Sequence, residues 1–81
     1  MRIQVQFYSY FKDLTGCPNA DEELPEGSTI DDLLKRVYAR FPELARLANS
    51  TLIAVGVEYQ DRAYRLEEGA QVSLFPPVQG G

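Results

Sequence analysis

Between Ile30 and Phe41 the apolar residues Ile30, Leu33, Leu34, Val37, Tyr38 and Phe41 recur at the i, i+3, i+4, i+7 spacing. That spacing predicts a helix with a single apolar stripe, while Asp32, Lys35, Arg36 and Arg40 largely fall outside it. Ser28 or Thr29 can cap the start, and Asp31 and Asp32 sit where the positive end of the helix dipole favours carboxylates. Pro42 ends the helix, and a second short helical piece is expected from Glu43 to Ala48 before Asn49-Ser50 turns the chain. A one-sided helix must bury its stripe against another layer, and the flanking segments read as strands.

Arg2 to Tyr8 alternates, with Ile3, Val5 and Phe7 on one face and Arg2, Gln4, Gln6 and Tyr8 on the other, as in a half-buried strand. Lys12 to Asn19 holds Gly16, Pro18 and Asn19 close together and reads as a turn before a short acidic strand from Ala20 to Leu24. Leu52 to Val57 is an apolar, β-branched run expected as a central strand. Glu58 to Arg65 is more polar and reads as an edge hairpin or loop. Val72 to Phe75 is the last strand, with Val72 and Leu74 facing one way and Ser73 and Phe75 the other. Pro76-Pro77 then stops the ladder, since proline has no amide hydrogen to donate. One helix over one face of a small mixed sheet is an α+β, two-layer architecture, with the first and last strands as central neighbours. It resembles the β-grasp fold of ubiquitin. Residues 1–75 form the folded domain in this reading, and residues 76–81 a flexible C-terminal tail.

The chain has 81 residues, 44% of them hydrophobic, which accommodates one core. A core of that size leaves little room for a deep pocket of the roughly 300 Å³ or more that small-molecule sites usually occupy. Lys and Arg number 8 against 12 Asp and Glu, a net charge of −4, and only Lys35-Arg36 places two cations side by side. No basic stripe exists to neutralise phosphates, so nucleic acid is not an expected partner. The chain has 1 cysteine and no histidine, which excludes an internal disulfide and any multi-cysteine metal site. No membrane span is expected, and a cytoplasmic location suits the unpaired thiol.

The most informative residues are Phe75-Pro76-Pro77-Val78-Gln79-Gly80-Gly81. Pro76 and Pro77 stiffen an extended departure from the sheet. Gly80 and Gly81 carry no side chains, so this part of the backbone can enter a narrow channel and approach a reactive centre closely. A carboxylate is a poor electrophile, but adenylation converts it to an acyl group that a sulfur nucleophile can attack. None of that chemistry needs a base or nucleophile in the carrier itself.

The pattern Phe-Pro-Pro-Val-x-Gly-Gly resembles the signature of the molybdopterin synthase small-subunit family, the sulfur carriers of molybdenum cofactor synthesis. Further similarity runs through Ile3-Gln4-Val5-Gln6-Phe7-Tyr8, Leu14-Thr15-Gly16, Ser28-Thr29-Ile30, Leu52-Ile53-Ala54-Val55 and Leu66-Glu67-Glu68-Gly69-Ala70-Gln71-Val72. The family typically has asparagine where this chain has Gly56, and arginine is common where it has Lys12. The resemblance implies that the chain is not catalytic alone. An adenylyltransferase resembling ubiquitin-activating enzyme would use ATP and magnesium to adenylate Gly81, and a sulfurtransferase would supply the sulfur of a terminal thiocarboxylate. The tail residues Pro76, Pro77, Val78, Gln79 and Gly80 would then insert into the large catalytic subunit of a heterotetramer. There the thiocarboxylate donates sulfur to cyclic pyranopterin monophosphate. The resemblance implies no bound cofactor or metal. Carriers for thiamine, cysteine or transfer-RNA thiolation, and ubiquitin-like protein modifiers, use the same kind of end.

Tyr8 and Phe75 lie on the strand faces opposite Phe7 and Leu74, so they are expected to form an exposed aromatic patch beside the tail, with Tyr59 joining it. Such a patch is a candidate partner interface. Cys17 has no basic neighbour and reads as a passive turn residue. Asp31-Asp32 and Glu67-Glu68 are accounted for by the helix dipole and by a solvated turn.

Overall fold

The alternation of the first residues is realised as strand β1, Arg2–Phe7, in which Ile3, Val5 and Phe7 are buried. The structure is a computed structural model and describes residues 1–77. Along the chain β1 is followed by helix α1 (Phe11–Thr15), strand β2 (Asn19–Glu23), helix α2 (Ile30–Arg40) and helix α3 (Pro42–Ala45). Strands β3 (Leu52–Val55), β4 (Glu58–Tyr59) and β5 (Gln71–Phe75) complete the order. The sheet runs β2-β1-β5-β3-β4, so the first and last strands are adjacent in its middle, as expected. They pair in parallel, Gln4 opposite Gln71 through Phe7 opposite Leu74, while the other pairings are antiparallel. This mixed sheet with its helix is the α+β architecture the alternation predicts.

Helix α2 begins where the sequence permits a reciprocal cap. The Asp32 N–H donates to Thr29 Oγ1 at 3.3 Å, and the Asp32 carboxylate accepts from the Thr29 N–H at 2.9 Å. The Thr29 N–H holds the Asp32 carboxyl below its ordinary pKa. Helix starts leave orphan amides, and here the segment before β5 satisfies some of them: Ile30 N–H donates to the Tyr64 carbonyl and Asp31 N–H to that of Arg62, each at 3.0 Å. Ile30, Leu33, Leu34 and Val37 are buried on the sheet, and Phe41, just past the helix end, meets Phe7 edge-on with centroids 5.4 Å apart. Burying each such aliphatic side chain contributes about 1.5–3 kcal/mol, so the stripe fixes α2 on this face.

Four expectations need correction. Lys12 to Thr15 is helical, because Phe11 is fully buried and anchors a short helix that Gly16 ends in the left-handed region, φ 77°. The short helix after Pro42 stops at Ala45, and a separate 3₁₀ turn, Ala48–Ser50, carries the chain to β3. Strand β3 ends at Val55, because Gly56 at φ 61° makes a two-residue hairpin with Val57, and Val57 is 99% exposed. Ser73, on the face expected to be open, is buried: β5 is the central strand, so Gln6 and Ala54 flank Ser73 on either side.

One edge of the sheet is β2, the other β4. Arg40, from the last turn of α2, reaches across to the carboxylate of Glu22 and donates to the Asp21 carbonyl at 3.2 Å. Val5 and Ile3 exchange ladder bonds with Ala20 and Glu22, so the Asp21 carbonyl points away from β1 and would otherwise be an unpaired edge acceptor.

Candidate functional site

The face of the sheet opposite α2 carries no helix, and its composition changes along the strands. At the end where β1 begins and β2 finishes, the outward positions are Arg2, Gln4, Gln71, Asp21 and Glu23, all polar. At the end where β5 finishes they are aromatic and aliphatic on β5, β3 and β4, with Gln6 and Asn19 beside them on β1 and β2. The register sets Leu52 opposite Phe75, and Ala54 between Ser73 and Tyr59. Tyr8 follows β1, its N–H donating to the Leu74 carbonyl at 3.2 Å. Its ring stacks on Phe75 with centroids 4.5 Å and planes 17° apart.

The structure therefore places the three aromatic residues picked out in the sequence on one face and brings two of them together. Tyr8 and Phe75 are in direct contact, and Tyr59 lies two strands from Phe75 on the same face with 70% of its surface exposed. Leu52 completes the patch at 36% exposed and was not singled out in the sequence. The run Leu52-Ile53-Ala54-Val55 is apolar throughout, so no polar residue marks which members face outward; only pairing with β5 decides it. Ala54 and Ser73 are small and buried, giving the patch a flat floor between raised aromatic edges.

The tail starts from this patch. Phe75 is the last residue of β5, and Pro76 and Pro77 follow outside the ladder, partly buried. Val78, Gln79, Gly80 and Gly81 lie outside the described residues. Fully extended, residues 76–81 reach at most about 20 Å from the sheet.

The remaining candidates do not assemble into a site. Cys17 is a free, half-buried thiol packed against the core. Asp31 pairs with Lys35 at 3.5 Å and lies 3.9 Å from Arg62, Asp32 serves in the cap, and Glu68 accepts from the Arg2 N–H at 3.2 Å. Among the described residues no group of three His, Cys, Asp or Glu is placed to hold a metal ion, and no helix is long and apolar enough to cross a membrane.

Two open surface clefts of about 490 and 380 Å³ are present, and neither is the deep pocket for which so small a core leaves little room. They lie between loops and helix ends instead of within the core, which is how so short a chain accommodates them. The larger, lined by Thr51, Leu52, Tyr59 and Arg62, adjoins the apolar patch. Near it the Tyr38 hydroxyl is buried without a hydrogen-bond partner, and burial raises its pKa. Thr51 and Arg62 are its polar neighbours, but each donates elsewhere, Thr51 to the Leu47 carbonyl at 2.7 Å and Arg62 to that of Ala48 at 3.1 Å.

Known proteins are similar to this chain in sequence and in fold. The molybdopterin synthase sulfur carrier subunit of Chlamydomonas reinhardtii is 30% identical over 84 residues, covering 100% of each chain. A solved structure described as molybdopterin converting factor subunit 1 from Pyrococcus furiosus superposes with a TM-score of 0.87 at 27% identity, covering 96% of this chain and 99% of that one. A complex of subunits 1 and 2 of the Helicobacter pylori molybdopterin-converting factor includes a chain of the same fold, with TM-score 0.71, 22% identity and full coverage of both. The model of the ThiS family matches residues 5–81, which takes in the sheet, the helices and the diglycine end alike. The chain thus has a ubiquitin-like β-grasp body, and it belongs to the ThiS family.

Proposed function

We propose that this protein is the sulfur carrier subunit of a molybdopterin synthase and that its working group is the carboxylate of Gly81. The observation that carries this reading is the Phe75-Pro76-Pro77-Val78-Gln79-Gly80-Gly81 end in a chain matching a sulfur carrier subunit over its whole length. A carboxylate oxygen of Gly81 attacks the α-phosphorus of ATP and displaces pyrophosphate, with magnesium held by an activating adenylyltransferase. The terminal sulfur of a sulfurtransferase persulfide then attacks the acyl adenylate and displaces AMP. A second thiol attacks the donor sulfur of the resulting acyl disulfide, so that a disulfide forms on the donor side and the thiocarboxylate is released on Gly81. The tail, Pro76 to Gly81, enters the large catalytic subunit, where the thiocarboxylate gives up sulfur to cyclic pyranopterin monophosphate. Two loaded carriers are consumed for each dithiolene formed.

The folded body serves as the handle. Tyr8, Phe75, Leu52 and Tyr59 form an apolar face beside the tail root, suited to pack against a partner while the polar end of the same face stays at the rim. The carrier itself needs no cofactor, and the single thiol suits a cytoplasmic setting.

Incubation with the activating enzyme, ATP, magnesium and a sulfur source, followed by intact mass spectrometry, tests the proposal. Exchange of one oxygen for one sulfur at the terminus is the expected result. Conjugated ladders instead would identify a protein modifier, and an unchanged mass would reject the carrier role. Restoration of molybdoenzyme activity in a strain lacking the small subunit separates this pathway from thiolation of other products.

A further inference from the structure

Ser9 stands between β1 and α1, and among the described residues it is the only non-glycine with positive φ, at 55°. L residues seldom enter this left-handed region, because Cβ crowds the carbonyl that follows; glycine enters it freely. Two anchors define what the chain must do here. On one side Tyr8 is held in the ladder by its N–H bond to Leu74 and stacked on Phe75. On the other, Phe11 is fully buried, and the N–H groups of Phe11 and Lys12 donate to the carbonyls of Tyr8 and Ser9, both at 3.1 Å. The direction of the chain must therefore change from strand to helix across Ser9 and Tyr10, and the left-handed step at Ser9 accomplishes it. Ser9 is exposed, and its side chain makes no hydrogen bond among the described residues, so what this position contributes is backbone conformation.

Phe75 is the residue from which the tail departs. Leu52 pairs with it on one side, and the Tyr8 ring covers it. The geometry points to Ser9 as a positioning residue: its left-handed backbone clamps Tyr8 onto Phe75 and so fixes the direction in which Pro76 leaves the sheet. A root held in one orientation leaves fewer conformations to be lost when the end enters a narrow channel, which is preorganisation of the tail. This inference rests on the carrier reading for its consequence but not for its geometry. Ser9 lies off the aromatic patch, so a substitution there probes the clamp without deleting a contact of the docking face.

Ser9→Val, a β-branched residue ill suited to positive φ, is compared with Ser9→Gly, and Ser9→Thr provides a milder β-branched variant should the valine protein not fold. In the isolated proteins, ring-proton shifts and ring-to-ring nuclear Overhauser contacts between Tyr8 and Phe75 report the stack. Adenylation by the activating enzyme, followed against carrier concentration, reports its use. The β-branched variants are expected to lose the stacking signals and to raise the half-saturating carrier concentration about two- to tenfold, the worth of one aromatic pair, with kcat unchanged. Ser9→Gly is expected to keep both properties of the parent. Retained stacking in a folded β-branched variant overturns the clamp, as does lost stacking with unchanged half-saturation. Failure of the parent protein to be adenylated would instead count against the carrier role, and the ring signals would still decide the geometry.

Discussion

Two residues outside the patch link their surroundings to measurable pH behaviour. Asp32 caps α2 and has its carboxyl held below its ordinary value of 3.8, first by the Thr29 N–H. The folded pKa is depressed, so this contribution is present above the unfolded pKa and is lost as pH falls through the folded one. Asp32→Asn is therefore expected to flatten the acid limb of stability below about pH 4, as read from urea midpoints across an acid series. Tyr38 has the opposite sign. Burial raises its phenol above 10.0, so unfolded chains ionise first and stability falls as pH rises from that value toward the higher folded pKa. Its hydroxyl has no partner, so Tyr38→Phe is expected to be neutral or stabilising by up to about 1 kcal/mol and to reduce the alkaline loss. Thermal melts at neutral and alkaline pH check both parts; a clear loss of stability at neutral pH would mean that the hydroxyl is bonded after all.

At the scale of elements, the contact between α2 and β2 holds an edge strand that has only one neighbour in the sheet. The Glu22 side chain is 8% exposed and depends on Arg40, whose own side chain is 48% exposed. Arg40→Ala leaves a buried carboxylate and the Asp21 carbonyl without their donor, and the expected loss is about 1–3 kcal/mol, moderated because Arg40 is half in water. Adding Glu22→Gln to that variant is expected to recover part of the loss, a coupling that a double-mutant cycle in urea measures. Helix α2 was legible from its stripe alone, as was β1 from its alternation, because burial of one face imposes a period on the sequence. Helix α1 was not: Gly16, Pro18 and Asn19 advertise a turn, and the helix just before them exists because Phe11 finds a place in a core that other elements build. The hairpin at Gly56-Val57 was missed for a related reason, since an apolar run followed by a fully exposed valine has no break in polarity where the strand ends.

At the scale of the whole molecule, body and tail are expected to separate experimentally. Removing Gly80 and Gly81 should abolish sulfur transfer while the melting temperature stays within about 2 °C of the parent, since a terminal segment contributes little packing. Tyr8→Ala combined with Phe75→Ala should act the other way, preserving a competent terminus but weakening partner binding by about 1–3 kcal/mol through loss of an aromatic stack and its buried area. Calorimetric titration with the large subunit, alongside intact mass after activation, distinguishes the two kinds of damage. The strand and helix periods were readable without coordinates, because they follow from which side chains must avoid water. Strand order, the placement of Leu52 beside Phe75, the burial of Ser73 and the left-handed step at Ser9 are different in kind. Each depends on contacts between residues far apart along the chain, or on a backbone conformation between neighbours that are themselves held by distant parts of the chain, and no local period encodes either; only the assembled sheet, with β1 and β5 side by side, settles them.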